Sequence, residues 1–212
     1  MSATQDRRPH DHRRRVALAT KNPGKVREIA SILVGTPIDL AAPDPTWLAP
    51  PEDADTYREN ALIKARSLVA FSGLPVLADD SGIEVDALDG GPGPRSARYA
   101  GEGASDEENL HKLIEIVRRT PERARNARYR CVAVLVTPSG EEHIAEAIVE
   151  GALLTEPRGS GGFGYDPIFV PEGDRRTMAE LTAEEKDAIS HRGKAFRALI
   201  PALRMLGSSR ER

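Results

Sequence analysis

Residues 159–169 read Gly-Ser-Gly-Gly-Phe-Gly-Tyr-Asp-Pro-Ile-Phe, and four glycines in six positions disfavour any regular helix or strand. Glycine loses the most conformational freedom on folding, so this cluster indicates positive φ angles or close approach to a ligand. Aromatic residues make up only 4% of the chain, yet Phe163, Tyr165 and Phe169 fall here, beside Asp166. The segment predicts either a loop around a planar, polar ligand such as a nucleobase, or simply a long turn between strands.

Size and charge favour a globular protein with a small-molecule ligand. The 212 residues fit one domain or two closely joined lobes, and the net charge is −3. No apolar run is long enough for a membrane span, the amino terminus lacks a signal sequence, and the lone Cys131 fits a reducing cytoplasm. The basic block 7–15 is interpreted as a solvated arm rather than a nucleic-acid-binding arm. We therefore predict a cytoplasmic protein without membrane or nucleic-acid partners.

The order of elements predicts an α/β fold. Strands are expected at 16–19, 38–40, 75–78, 129–137 and 142–149, the last two joined as a hairpin by Pro138-Ser139-Gly140. Helices are expected to begin after Asn22, Thr56, Ser105 and Thr182 and at Ser190, each with a polar capping residue. Strands mixed with helices indicate a mixed sheet. We predict a disordered basic tail over 1–14, one folded domain over 15–206 and a carboxy-terminal tail over 207–212.

The segment Thr20-Lys21-Asn22-Pro23-Gly24-Lys25 lies between the first strand and its helix. Amides at a helix amino terminus bind anions. Lys25 in the first turn opposes the helix dipole, which is explained if a phosphate binds there, and Gly24 allows close approach of a ligand. The alternative is an ordinary surface lysine.

Asp79 and Asp80 are predicted to follow a buried strand, where ligands of open α/β sheets gather. Adjacent carboxylates repel unless a cation lies between them, and Mg²⁺ is commonly shared between carboxylates and substrate phosphates. Because side chains alternate along an extended segment, the two are expected to face different ways and do different jobs. The alternative is an Asp-rich turn.

A third cluster contains Lys186, His191 and Arg192. His191 and Arg192 again place cationic side chains in a first helical turn, where they could hold a phosphate or donate hydrogen bonds to a base. The alternative is a structural histidine. Together with the glycine-rich segment, the clusters provide what a triphosphate, a metal and a base require.

Six segments, in this order, resemble the Ham1/RdgB-like family of inosine triphosphate pyrophosphatases. They are Leu-Ala-Thr-Lys-Asn-Pro-Gly-Lys (18–25), Glu-Asn-Ala-Leu-Ile-Lys-Ala (59–65), Ala-Asp-Asp-Ser-Gly (78–82), Ser-Ala-Arg-Tyr-Ala-Gly (96–101), Gly-Gly-Phe-Gly-Tyr-Asp-Pro (161–167) and Ala-Ile-Ser-His-Arg-Gly (188–193). The resemblance implies an elongated, two-lobed α/β fold around a strongly twisted mixed sheet, usually as a homodimer. It implies Mg²⁺-dependent hydrolysis of dITP, ITP, XTP or dXTP to the monophosphate and pyrophosphate.

The resemblance also implies roles for single residues. Asp80 matches the catalytic acid-base residue and metal ligand, and Glu52 aligns with a second metal ligand, although the glycine of the family pattern is absent after it. Positions that match substrate contacts are Thr20, Lys21, Asn22, Pro23, Gly24, Lys25, Ser81, Phe163, Gly164, Tyr165, Asp166, Lys186, His191 and Arg192.

Two other interpretations stay open at this point. One is a Maf-like nucleotide pyrophosphatase with a different base preference, against which the Phe-Gly-Tyr-Asp and Ser-His-Arg segments argue. The other is a nucleotide-sensing protein without turnover, which a pyrophosphate-release assay would separate from an enzyme.

Overall fold

A six-stranded mixed sheet forms the centre of the molecule, in the strand order β2-β1-β3-β4-β5-β6. The computed structural model describes residues 13–208. The strands are β1 Arg14–Leu18, β2 Ile38–Ala41, β3 Val76–Val85, β4 Asn126–Val136, β5 Glu142–Leu153 and β6 Phe169–Pro171. β1 pairs in parallel with β2 and β3, whereas β3, β4, β5 and β6 pair antiparallel. The predicted α/β class with a mixed sheet is confirmed.

Helices cover both faces of this sheet and begin at the predicted capping residues. They are α1 Pro23–Ile32, α2 Tyr57–Ser72, α3 Asp106–Arg119, α4 Ala183–Ile189 and α5 His191–Ser208. The Asn22 side chain accepts hydrogen bonds from the amides of Gly24 and Lys25. Thr56, Ser105 and Thr182 accept from the third residue of their helices, so these short polar side chains fix where each helix starts.

The long strands β3, β4 and β5 run through two lobes with separate cores. In the first lobe α1 and α5 pack on one sheet face, around Leu77 and Phe196, while α2 packs on the other face, around Leu68 and Val134. The far halves of the same strands, with α3 and the glycine-rich segment, enclose the core of the second lobe around Ile83 and Phe169. The lobes therefore share one sheet, and a cleft lies between them.

Three elements extend past the boundaries that the sequence predicts. β1 begins at Arg14, inside the expected disordered tail, because Arg14 pairs with Ile38 of β2; residues 1–12 of that tail lie outside the described residues. α5 continues to Ser208, past the expected start of the carboxy-terminal tail at residue 207. β3 extends far beyond the predicted strand over 75–78, because all ten of its residues pair with β4. Within residues 13–208, no helix has the length and apolar character to cross a membrane.

Candidate active site

One cleft of about 330 Å³ brings together the segments that the sequence singled out separately. Its walls come from the β1–α1 connection, the middle of β3, the glycine-rich segment and the start of α5. Of the predicted residues, those lining it are Thr20, Lys21, Asn22, Lys25, Glu52, Asp80, Ser81, Phe163, Gly164, Tyr165, Asp166, Lys186, His191 and Arg192. Its volume falls within the range typical of small-molecule sites.

Asp79 and Asp80 lie inside β3 rather than after its end. They pair with Ala133 and Val132 of β4, so the alternative of an Asp-rich turn is wrong at this point of the chain. The strand pleat sends the two carboxylates to opposite sheet faces. Asp79 meets α1 and α5 through Lys25 and Arg192, whereas Asp80 meets α2 through Asn60. The prediction that the two side chains face different ways is confirmed.

Asp80 is a buried carboxylate with few compensating contacts. Asn60 Nδ2 donates to its Oδ2 at 3.0 Å, and the Ser81 amide donates to its Oδ1 at 2.9 Å. The Lys64 amine is 4.0 Å from Oδ1 and stands closer to Glu52, at 3.1 Å. Burial raises the pKa of Asp80 to about 6 and the nearby Glu52 carboxylate adds to this, although Lys64 and Lys25 oppose the rise. Asp80 can therefore exchange a proton near neutral pH.

The Asp80 and Glu52 carboxylates together fit a Mg²⁺ site that is completed by substrate. Both line the cleft, and both have an oxygen within 4.0 Å of the Lys64 amine, so the positive charge of Lys64 is already near both carboxylates. Within residues 13–208, no group of three or more His, Cys, Asp or Glu side chains could hold a metal alone. Mg²⁺ is usually bound by one or two carboxylates, water and substrate phosphates, and this donor set matches that pattern.

Asp79 holds three cleft residues in place from below. Its Oδ2 lies 3.0 Å from the Lys25 amine, 3.3 Å from Arg192 Nε and 3.2 Å from the Ser81 hydroxyl, which donates to it. Burial alone would raise the pKa of Asp79, but Lys25 and Arg192 hold it well below its usual range. Asp79 therefore stays ionised at neutral pH.

Buried carboxylates explain why cationic side chains occupy two helix starts. Lys25 pairs with Asp79, and Arg192 at the start of α5 pairs with Glu28 of α1. Lys186 lies 2.6 Å from Glu28 and also contacts Asp166. A bound phosphate is thus not needed to explain these cations, contrary to the reasoning from the sequence. Together with Lys64 on Glu52, these four basic side chains are already matched by carboxylates, so the cleft offers a polyanion little unbalanced positive charge from them.

The glycine-rich segment forms a wall of the cleft and is held there by Asp166. The Phe163 amide donates to Asp166 Oδ2 at 2.9 Å, and the Tyr129 hydroxyl donates to its Oδ1 at 3.2 Å. Gly162 has φ +70°, and a Cβ on it would stand 2.1 Å from Asp166 Oδ2. The Tyr165 side chain is buried, and its hydroxyl donates to the Ser96 carbonyl at 2.8 Å. Asp166 and Tyr165 therefore shape the wall as well as lining it.

Phe163 presents its ring to the cleft over two cations and a glycine. Lys186 Nζ and Arg192 Cζ lie 5.0 and 5.5 Å from the ring centroid, within the range of cation–π attraction. A Cβ on Gly24 would stand 2.7 Å from the ring. Gly24 and Pro23 are not among the residues that line the cleft. Gly24 thus makes room for Phe163, and its predicted substrate contact stays a prediction.

His191 is buried in the cleft wall, with its ring stacked on Tyr129 at a centroid distance of 4.6 Å and an interplanar angle of 6°. Burial lowers the pKa of His191 well below its usual value, and Arg192 and Lys186 lower it further, so the ring is neutral. Its Nδ1 is buried without a hydrogen-bond partner among residues 13–208. A buried nitrogen of this kind takes its missing partner from an ordered water or from a ligand.

Two predicted phosphate contacts have other partners. The Lys21 amine donates to the Trp47 carbonyl at 2.9 Å, and the Thr20 hydroxyl accepts from the Asn22 amide at 3.2 Å. Asn22 itself caps α1. Of this segment, Lys25 is the residue whose amine is directed at the acidic centre.

Sequence reasoning missed Lys64, Asn60 and Glu28. Lys64 and Asn60 are one turn apart on the face of α2 that also buries Ala61 and Leu68. Two polar residues within an otherwise apolar helical face were the available signal, since such residues need buried partners. Glu28 gave no such signal, because a glutamate on a surface helix is ordinary.

Comparison with known proteins identifies the family. Residues 16–202 match the family model described as the Ham1 family. This chain belongs to the Ham1 family. A dITP/XTP pyrophosphatase of Streptomyces coelicolor is 50% identical over 196 residues, which cover 91% of this chain and 98% of that relative. A dITP/XTP pyrophosphatase of Shigella flexneri is 47% identical over 193 residues, covering 90% and 98%.

Solved structures of Ham1 proteins share this fold. The structure of a Ham1 protein from Coxiella burnetii superposes with a TM-score of 0.81 at 39% identity, covering 90% of this chain and 98% of that one. The structure of a nucleoside-triphosphatase / dITP/XTP pyrophosphatase from Mycobacterium abscessus gives a TM-score of 0.70 at 43% identity, covering 88% of this chain and 99% of that one. The resemblance to the Ham1 family seen in the six sequence segments is therefore confirmed.

Proposed function

We propose that this protein hydrolyses the deaminated purine nucleoside triphosphates dITP, ITP, XTP and dXTP to the monophosphate and pyrophosphate. The proposal rests on its relatives, which carry the name dITP/XTP pyrophosphatase. The single structural observation that carries it is the shared cleft. There a carboxylate with a pKa of about 6, Asp80, faces the same space as the aromatic wall at Phe163 and the basic side chains Lys25 and Lys186.

Asp80 and Glu52 would hold Mg²⁺ with the phosphates of the substrate. A bound Mg²⁺ would supply the positive charge that offsets the charge developing on the phosphate oxygens. A cation is needed because the basic side chains Lys25, Lys64, Lys186 and Arg192 are already matched by carboxylates. Asp80 orients the attacking water and accepts its proton, directly or through a second water.

Lys25 and Lys186 also contact the phosphates. In the structure Lys25 forms an ion pair with Asp79, and Lys186 forms ion pairs with Glu28 and Asp166. The Ser81 hydroxyl, which accepts from Arg192 Nη2 at 2.8 Å and donates to Asp79, lies on the Asp79 side of β3 and lines the cleft, where it would contact the substrate. These contacts position the α-phosphorus for attack, which is the main contribution that a protein makes to this kind of reaction.

The base lies against Phe163, with its 6-position toward His191. Hypoxanthine and xanthine have a carbonyl acceptor at that position, whereas adenine has an amino group. If the His191 Nδ1 proton or a backbone amide of residues 163–166 donates to the carbonyl, adenine leaves that donor buried and unpaired. Sites that depend on one such bond can discriminate by about 10⁴-fold.

The experiment is a pyrophosphate-release panel over ITP, dITP, XTP and the common nucleoside triphosphates, with Mg²⁺ and with a chelator. We expect turnover of the deaminated purines to exceed that of ATP and GTP by orders of magnitude, and to stop with the chelator. Asp80→Asn is the matched control and should be inactive. Binding of ITP without release of pyrophosphate by the unaltered protein would instead support a nucleotide sensor.

A further inference from the structure

We propose that Arg98 is a positioning residue. It fixes the position of Glu52 relative to Asp80 in the cleft. The inference rests on the proposed function only in giving Glu52 a role as a metal ligand. Arg98 lies in the 3-10 turn Gly93–Arg98, which belongs to the second lobe, whereas Glu52 precedes α2 in the first lobe. The Arg98 Nη2 donates directly to the Glu52 backbone carbonyl.

The segment that carries Glu52 has no regular structure of its own. Residues 42–56 connect β2 to α2 without a helix or strand. Side chains from other parts of the chain hold its backbone: Lys21 Nζ donates to the Trp47 carbonyl at 2.9 Å, and Asn60 exchanges two hydrogen bonds with Ala54, at 3.1 and 3.3 Å. These bonds fix the segment on either side of Glu52. At Glu52 itself, the bond comes from Arg98.

The turn that carries Arg98 is firmly anchored. Buried Asn109 of α3 donates to the Ala97 carbonyl at 3.1 Å and accepts from the Ala100 amide at 2.7 Å. Tyr165 of the glycine-rich segment donates to the Ser96 carbonyl at 2.8 Å. The backbone on both sides of Arg98 is thus fixed to the second lobe. The hydrogen bond from Arg98 therefore ties the Glu52 backbone to that lobe.

The contact matters because the Glu52 side chain is itself weakly restrained. The side chain is 37% exposed, and its carboxylate meets the Lys64 amine at 3.1 Å. A carboxylate on an irregular segment keeps its direction only if its backbone is fixed, and a hydrogen bond from a charged donor is stronger than one between neutral groups. Arg98 therefore supplies the restraint that lets Glu52 and Asp80 act on one cation.

The first test is hydrogen exchange on Arg98→Ala without nucleotide or metal. We expect faster exchange of amides within residues 47–55, with α2 and α3 unchanged. Arg118→Ala is the matched control, because Arg118 forms an exposed ion pair with Glu156 and should leave residues 47–55 as they are. Unchanged exchange at residues 47–55 in Arg98→Ala would overturn the proposal, whether or not the protein proves to be a pyrophosphatase.

The second test is a double-mutant cycle on metal dependence. Arg98→Ala should raise the Mg²⁺ concentration for half-maximal turnover about 10-fold, corresponding to the loss of one such bond. In the Glu52→Gln background, the same change should have less than about a twofold effect, because the carboxylate through which Arg98 acts is gone. Equal effects in both backgrounds would show that Arg98 does not act through Glu52. Arg98→Lys, which keeps the charge, should recover part of the loss and guards against misfolding of the alanine variant.

Discussion

Asp79 and Asp80 are adjacent in β3, yet their carboxylates lie in opposite electrostatic environments. Asp79 is surrounded by Lys25, Arg192 and the Ser81 hydroxyl and stays ionised, whereas burial lifts the pKa of Asp80 to about 6. The strand pleat separates the two, because it places them on different sheet faces. One carboxylate thus holds the site together, and the other is available for chemistry.

Asp80 should destabilise the folded protein at neutral pH. Its pKa is higher in the folded than in the unfolded chain, so its protonated form favours folding, and that stability is lost as the pH rises through about 6. The stability of Asp80→Asn relative to the unaltered protein should therefore rise by up to about 3 kcal/mol between pH 4 and 7.5. Urea unfolding of both proteins in a chelator measures it; a constant difference across this range would contradict the shifted pKa.

Asp79→Asn is the matched comparison and should act in the other direction. It removes a buried carboxylate and leaves Lys25 and Arg192 without that partner, which typically costs about 3–5 kcal/mol. Opposite signs for two neighbouring Asp→Asn changes at pH 7.5 would separate their roles in one experiment.

The kcat/KM for ITP should fall as the pH decreases below about 6. Asp80 must be ionised to accept a proton or bind Mg²⁺, and burial and Glu52 set its pKa. Raising the Mg²⁺ concentration should move this limb to lower pH, because the cation and the proton compete for one carboxylate. The pH profile of kcat/KM for ITP at two Mg²⁺ concentrations tests this; a limb that ignores Mg²⁺ would assign it to another group.

Gly24→Ala should impair turnover by displacing Phe163. The new Cβ would stand 2.7 Å from the ring, closer than van der Waals contact allows, so the ring must move. We expect KM for ITP to rise several-fold while the thermal midpoint changes little. Phe163→Ala opens the space, so adding Gly24→Ala to it should cost almost nothing more. Additive losses in the double variant would show that Gly24 acts on the site in some other way.

His191→Ala should reduce the preference for ITP over ATP. The neutral ring is fixed by stacking on Tyr129, and its Nδ1 has no partner within residues 13–208. Loss of a bond made only to the 6-carbonyl should lower kcat/KM for ITP about 10- to 100-fold and leave that for ATP nearly unchanged. Arg118→Ala, which alters an exposed ion pair with Glu156, serves as the control and should leave both activities unchanged. Equal losses for ITP and ATP would assign His191 a structural role.

Local chemistry in the sequence was sufficient for the start of each helix and for the hairpin. Asn22, Thr56, Ser105 and Thr182 cap helices where expected, because a capping side chain bonds to amides only two or three residues away. The position and turn of the β4–β5 hairpin also followed from neighbouring residues. The length of β3 did not, because it depends on pairing with a strand about fifty residues further along the chain.

By itself, the sequence determined the family, the α/β class and most of the residues that line the cleft, because these follow from residue type and local spacing. Tertiary structure alone decided which charges meet. Residues that are distant in the chain meet in the ion pairs of Lys25 with Asp79 and of Lys186 with Glu28, and in the hydrogen bond from Arg98 to the Glu52 carbonyl. The shifted pKa of Asp80 likewise comes from burial and from neighbours on other elements. Such shifts depend on distance in space, which residue order does not give.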